Sequence, residues 1–249
     1  MGAGVAMKIR KLLSNIVCGF IPGKSRRDMV RVRLRYDTRQ YVKFVREYFG
    51  NSKIPLKTCV GYGCCNLIVL AGSQYAFKFP LHDDGAVRAL RELRITTALR
   101  KYTTLKIPEM EIIKWNNIAV RKYEFFPGVT LNELSPRVVM KNRHHIASQI
   151  ALFLYHIGTA DPAEIRDLKP KKTAKPDFLH GWFHNDIGGN FILNPDTFDI
   201  VGFIDWEVAD FCSFLPGLYM ADRHWDKYGY HGMAVDVLSQ YAKLYYGNK

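Results

Sequence analysis

The chain has no apolar run long enough to cross a bilayer as a helix, no internal repeat and no low-complexity tract. A helical membrane span, a solenoid and a disordered array are thereby excluded. Its five cysteines, at positions 18, 59, 64, 65 and 212, have no metal-ligand spacing, because the adjacent Cys64-Cys65 cannot replace a spaced pair. An odd, unpatterned set of thiols points to a reducing compartment. Acids are scarce, with 23 Asp+Glu against 36 Lys+Arg and a net charge of +13. That excess, with Arg/Tyr interleaving at Arg33-Leu34-Arg35-Tyr36, raises the reading of a non-enzymatic basic nucleic-acid-binding protein. No zinc, homeodomain or RNA-binding signature accompanies it, so nucleic acid is not the expected partner. What the chain does have is 48% hydrophobic and 13% aromatic residues in 249, enough to bury a core.

The charge is unevenly spread. Residues 1–50 hold 12 Lys+Arg and 3 Asp+Glu, whereas residues 150–249 hold 9 and 13. In the basic segment Ile9, Leu12, Leu13, Ile16, Val17 and Phe20 form one helical stripe, with Lys8, Arg10 and Lys11 beside it. Pro22-Gly23 ends the stripe, and Lys24, Arg26, Arg27, Arg31, Arg33 and Arg35 follow. A basic amphipathic helix of this kind suits an anionic membrane surface; the competing reading packs it on the neighbouring domain. Neither a small-x-small cleavage site nor a Ser or Thr at position 6 is present, so a signal peptide and a myristoylation site are poor readings. The expectation is a cytoplasmic chain, with this leader on the inner face of the cytoplasmic membrane.

Residues 181–207 carry the densest chemistry. His184-Asn185-Asp186 opens a short loop closed by Asn190, and two apolar strands around the turn Asn194-Pro195-Asp196 lead to Asp205. Phosphoryl transfer needs a carboxylate to orient or deprotonate the attacking hydroxyl, and an Asp plus an Asn to hold magnesium against the phosphates. The segment resembles the catalytic and metal loops of the aminoglycoside phosphotransferase and choline kinase branch of the protein-kinase-like fold. That branch reads His-Gly-Asp-Leu-His-x-x-Asn, then a hairpin, then Ile-Asp-Trp-Glu, which Ile204-Asp205-Trp206-Glu207 matches residue for residue. The resemblance implies ATP and Mg2+ as cofactors, with Asp186 as catalytic base and Asn190 and Asp205 as metal ligands. The loop here is one residue shorter than in the family. Counting from His184 gives Asp186 as the base, whereas counting back from Asn190 gives Asn185. Gly188-Gly189 is expected to span the gap through conformations closed to other residues.

The rest of a kinase is legible around this motif. Residues 60–80 read as three antiparallel strands, with Gly61 and Gly63 in a turn that can approach nucleotide phosphates. Lys78, a lysine inside an apolar strand, must send its ammonium to an anion, unless it guards a sheet edge. A helix over residues 85–101 holds one acid, Glu92, which the resemblance pairs with Lys78; the plain alternative is a surface ion pair. Residues 118–126 resemble the strand and hinge that receive adenine, with Glu124 and Phe126 as nucleotide contacts. A helix over residues 136–157 carries the stripe Ile146, Ile150, Phe153, Leu154 and Ile157, and His156 near its end reads as a packed histidine.

The expected fold is α+β and two-lobed. An amino lobe of a small antiparallel sheet plus helix spans residues 36–126, and a mainly helical carboxyl lobe spans 127–249, behind a leader at 1–35. The expected function is transfer of the γ-phosphate of ATP to a hydroxyl of a small molecule or cell-surface glycan. A weaker resemblance of residues 20–35 to leaders of bacterial enzymes that build surface glycans favours a lipopolysaccharide core sugar, hence a glycolipid partner. The basic loop Lys169-Pro170-Lys171-Lys172-Thr173-Ala174-Lys175 also suits an anionic acceptor, whereas the acidic last hundred residues suit an aminoglycoside or choline. A protein or effector kinase is the further alternative. Only residues 210–216 follow the Ile-Asp-Trp-Glu motif before helix-like sequence resumes, and no Ala-Pro-Glu is present.

Overall fold

The computed structural model describes residues 12–22, 24–60, 66–81, 84–170 and 178–247. The chain divides into two compact units, Met1–Ala89 with Glu111–Phe125 and Leu90–Met110 with Phe126–Lys249. The expected mixed α+β fold is what these units show.

Among the described residues the first unit holds helices α1 (residues 12–19), α2 (Lys24–Arg35) and α3 (Thr38–Tyr48). Asp37 starts α3: its backbone is extended and its carboxylate accepts the Arg39 N–H at 3.2 Å, satisfying a helix-end donor. A five-stranded sheet follows in the order β1 (Leu56–Val60), β2 (Asn66–Ala71), β3 (Tyr75–Pro80), β5 (Ile118–Glu124), β4 (Met110–Trp115). The three strands read near residues 60–80 are β1 to β3, each antiparallel to the next. Asn116 and Asn117, both at positive φ, make the two-residue turn between β4 and β5, where Asn tolerates the left-handed region. Leu67, Val69, Phe77, Phe79 and Val120 point to one face, where Tyr41 and Val45 of α3 complete a buried cluster. Strand alternation sends Asn66, Lys78 and Arg121 to the other face.

The division between units falls within helix α4 (Gly85–Leu99). The second unit holds β6 (Val129–Thr130), α5 (Pro136–Lys141), α6 (Arg143–Gly158), β7 (His180–Phe183), β8 (Phe191–Leu193), β9 (Ile200–Phe203), β10 (Asp210–Ser213), α7 (Leu215–Lys227) and α8 (Met233–Gly247). The single helix expected over residues 136–157 is two helices. Asn142 ends α5 and opens α6 (φ −103°, ψ 9°), and its side-chain amide donates to the Val138 carbonyl at 3.0 Å, a local bond that competes with helix continuation. The stripe read on this segment is otherwise in place: Ile146, Ile150, Phe153, Leu154 and Ile157 are fully buried. Phe153 stacks on Phe203 at 3.8 Å between ring centres, which fixes the β8–β9 hairpin against α6. Phe191 pairs with Phe203, and the Ile204 N–H donates to the Asn190 carbonyl at 2.9 Å, so Asn190 and Asp205 emerge at the same end of that hairpin.

Candidate active site

His184 is fully buried and builds the loop from within. It accepts the Asp186 N–H on Nδ1 at 3.3 Å, so the ring hydrogen sits on Nε2, 2.8 Å from the Ile204 carbonyl it donates to. One neutral imidazole thus joins the backbone at Asp186 to the residue before Asp205. The Asn190 amide nitrogen donates to the Asp186 carboxylate at 2.8 Å and to its carbonyl at 2.9 Å. Asp186 is open to solvent on one side, yet the protein crowded around its carboxyl, and next the charge of Asp205, raise its pKa above the usual carboxylate value; the Asn190 bond acts the other way. Asp186, Asn190 and Asp205 therefore form one cluster.

Asn185 faces elsewhere. It sits at φ 63°, its amide donates to the Val208 carbonyl at 3.1 Å, and its oxygen accepts the Cys212 thiol at 3.5 Å. The short loop takes its left-handed turn there and not at the glycines. Gly188 and Gly189 are absent from the positive-φ residues, which corrects the expectation that they bridge the gap by unusual backbone conformation. They make room instead. A Cβ on Gly188 would lie 3.1 Å from the His224 Cβ, and one on Gly189 would lie 3.1 Å from the Asn132 amide nitrogen.

Asp205 also stands in the left-handed region, at φ 63° and ψ 63°. The turn that follows is held from α4. Glu92, 2% exposed and so not a surface ion pair, accepts the Trp206 N–H at 3.1 Å, and Arg91 binds the Asp210 carboxylate at 2.8 Å and the Ala209 carbonyl. Neither the Arg91–Asp210 bond nor Glu92 as an acceptor for the metal loop was visible in the sequence, because both span more than a hundred residues. Trp206, fully buried, packs its ring 4.8 Å from that of His184.

In the first unit Lys78 is 2% exposed on β3, a central strand, which removes the edge-guard reading. Directly across the strand pair stands Arg121, also buried, whose guanidinium donates to the Asn66 side-chain oxygen at 2.6 Å. Arg121 escaped the sequence reading, although a cation among the apolar residues of β5 is the same signal that marked Lys78. Glu124 ends β5 exposed, and the following Phe125 N–H donates to the Gln74 carbonyl at 2.8 Å. Phe126 is buried in the second unit, with the Lys106 ammonium 5.8 Å from its ring centre. Gly61, Gly63 and residues 171–175 of the basic loop lie outside the described residues. Lys169, at the start of that loop, bonds Asp161 at 2.8 Å and holds its carboxyl low, second to Arg166, at a pKa of about 2.

No family model and no curated protein matches the sequence. Solved structures do match. The GDP and kanamycin complex of APH(2")-IIia superposes with a TM-score of 0.63 at 16% identity, over 82% of each chain. The streptomycin-ATP-APH(2")-IIa ternary complex gives 0.57 at 15%, over 82% of this chain and 81% of that one. Macrolide 2'-phosphotransferase MphH from Brachybacterium faecium gives 0.58 at 12%, over 82% of each. At such identities the likeness concerns the fold: the chain has the two-lobed protein-kinase-like fold of these antibiotic phosphotransferases.

Proposed function

We propose that the chain is an ATP-dependent phosphotransferase that moves the γ-phosphate to an alcohol of a small molecule or glycan. The observation that carries this reading is the convergence of Asp186, Asn190 and Asp205: the Asn190 amide bonds the Asp186 carboxylate at 2.8 Å, and the Asn190 carbonyl accepts the N–H of Ile204, the residue before Asp205, at 2.9 Å. Asp186 is the base in this reading: it receives the proton of the acceptor hydroxyl as that oxygen attacks phosphorus, and the nucleoside diphosphate leaves. Asn185, with both ends of its amide bonded to neighbouring residues, is the weaker candidate.

The cluster fits magnesium. Asn190 gives its amide nitrogen to Asp186, which turns its oxygen into the donor for a cation, and Asp205 supplies the carboxylate. One or two protein oxygens are what magnesium takes when phosphate oxygens and water complete its shell. Bound there, the ion would neutralise phosphate charge. By the same family resemblance, Lys78, Gly61 and Gly63 would meet phosphate oxygens, and Glu124 and Phe126 the nucleotide base. Glu92 has a positioning role, through the Trp206 N–H it accepts.

For the acceptor, the leader favours a lipopolysaccharide core sugar, and the likeness to antibiotic phosphotransferases, with the acidic last hundred residues, favours an aminoglycoside. A panel of core oligosaccharides and aminoglycosides, each incubated with ATP or GTP and magnesium and weighed by mass spectrometry, decides between them. A phosphate added to one class identifies the acceptor; nucleotide turnover with none of them phosphorylated removes both.

A further inference from the structure

Helix α1 is inside out. Leu12, Leu13, Ile16, Val17 and Phe20 are 63%, 53%, 54%, 42% and 85% exposed, whereas Ser14 and Cys18 are 0% and 2% exposed. At 100° per residue the five apolar positions share one side, and Ser14 and Cys18 lie on the opposite side. Among the described residues, polar bonds tie this side to α2: Arg35 donates to the Ser14 hydroxyl and to the Asn15 amide oxygen, each at 2.8 Å, and the Cys18 thiol donates to the Arg27 carbonyl at 3.4 Å. The helix is thus anchored by its hydrophilic side and presents its apolar one. Three exposed arginines, Arg26, Arg27 and Arg33, stand in the adjoining helix α2.

We propose that this leader is a docking surface for an anionic lipid bilayer, with the α1 stripe entering the acyl boundary and the α2 arginines holding acidic headgroups. Charge decides against a second copy of the chain as the occupant. Residues 1–35 carry nine Lys+Arg and one Asp, so apposing two leaders would bring two strongly cationic segments together. An anionic surface accepts both the stripe and the charge. No described helix is long and apolar enough to cross a membrane.

The test uses the full chain and vesicle flotation, and needs no transferase activity. Vesicles of phosphatidylcholine containing phosphatidylglycerol should carry the protein, and pure phosphatidylcholine should not. Raising salt to about 1 M, where screening shortens to roughly 3 Å, should release most of it. The double variant Ile16→Glu and Phe20→Glu should stay in solution with an unchanged melting temperature, because both side chains are exposed in the free protein. Arg26→Gln with Arg27→Gln should lower binding about fivefold per residue. Equal binding to neutral vesicles, or undiminished binding by the double glutamate variant, would overturn the proposal. So would failure to bind vesicles, and light scattering showing a dimer that the glutamates make monomeric would then identify a second copy as the occupant.

Discussion

The two units bury polar groups in opposite ways. In the second unit the acids of the cluster stand on irregular backbone, with Asn185 and Asp205 at left-handed φ and His184, Asn190, Glu92 and Arg91 bonded to the loops that bear them. In the first unit the cations Lys78 and Arg121 stand side by side in regular strands, placed by sheet register. On loop backbone the direction of a side chain is left to bonds such as these, whereas in a strand the alternation of the ladder sets it. Disturbing the loop should cost mainly chemistry; disturbing the strand pair should cost mainly nucleotide affinity and stability.

The largest effect is expected at the head of the metal loop. Asp205→Ala should abolish magnesium-dependent nucleotide turnover while leaving the protein folded, with a melt lowered by the roughly 1–2 kcal/mol that alanine costs at the left-handed φ of this half-buried position. Next, Asp186→Asn should lower kcat by about 10² to 10⁴, the usual worth of a positioned base. Asn185→Ala should lower it far less, and the reverse order would move the base to Asn185. In the strand, Lys78→Met should reduce kcat/KM for the nucleotide by roughly 10- to 150-fold, the value of about 1.5–3 kcal/mol for a hydrogen bond to a charged group, with kcat less affected than in Asp186→Asn. A kcat loss at Lys78 that matches the base variant would erase the contrast between units. Arg121→Met should lower stability by about 1–3 kcal/mol in denaturant unfolding, because the buried bond from its guanidinium to the Asn66 oxygen is lost. The smallest effect belongs to Gly189→Ala, where a methyl 3.1 Å from the Asn132 side-chain end should be absorbed by a small shift. Steady-state rates within a few-fold of wild type are expected there.

Part of this fold is legible in the sequence alone. Glycine, proline and asparagine turns between apolar runs mark β2, β3, β8 and β9 nearly to the residue, because turn chemistry and strand patterning agree there. The acids of the candidate site stand out for another reason: they share one short segment, closing on Ile204-Asp205-Trp206-Glu207, whose motif resembles a known one. Periodicity alone proved a weaker guide. The α6 stripe and the α1 stripe look alike in sequence, yet Ile150 is fully buried and Ile16 is 54% exposed. A 3.6-residue period says which side is apolar, not what covers it. The break at Asn142 was hidden because a single polar residue there fits either a helix or a cap. The bonds of Glu92 and Arg91 to the Trp206–Asp210 segment depend on tertiary placement, which local pattern does not encode.

The central claim is that the Asp186–Asn190–Asp205 cluster transfers the terminal phosphate of a nucleotide to an alcohol. Its most direct measurement is the transfer of γ-labelled phosphate from ATP, in magnesium, to the acceptor the panel identifies, with the wild type, Asp186→Asn and Asp205→Ala assayed side by side. The account predicts label in the acceptor for the wild type, at least a hundredfold less for Asp186→Asn, and none for Asp205→Ala. Label transferred at the wild-type rate by the folded Asp205→Ala protein would contradict it.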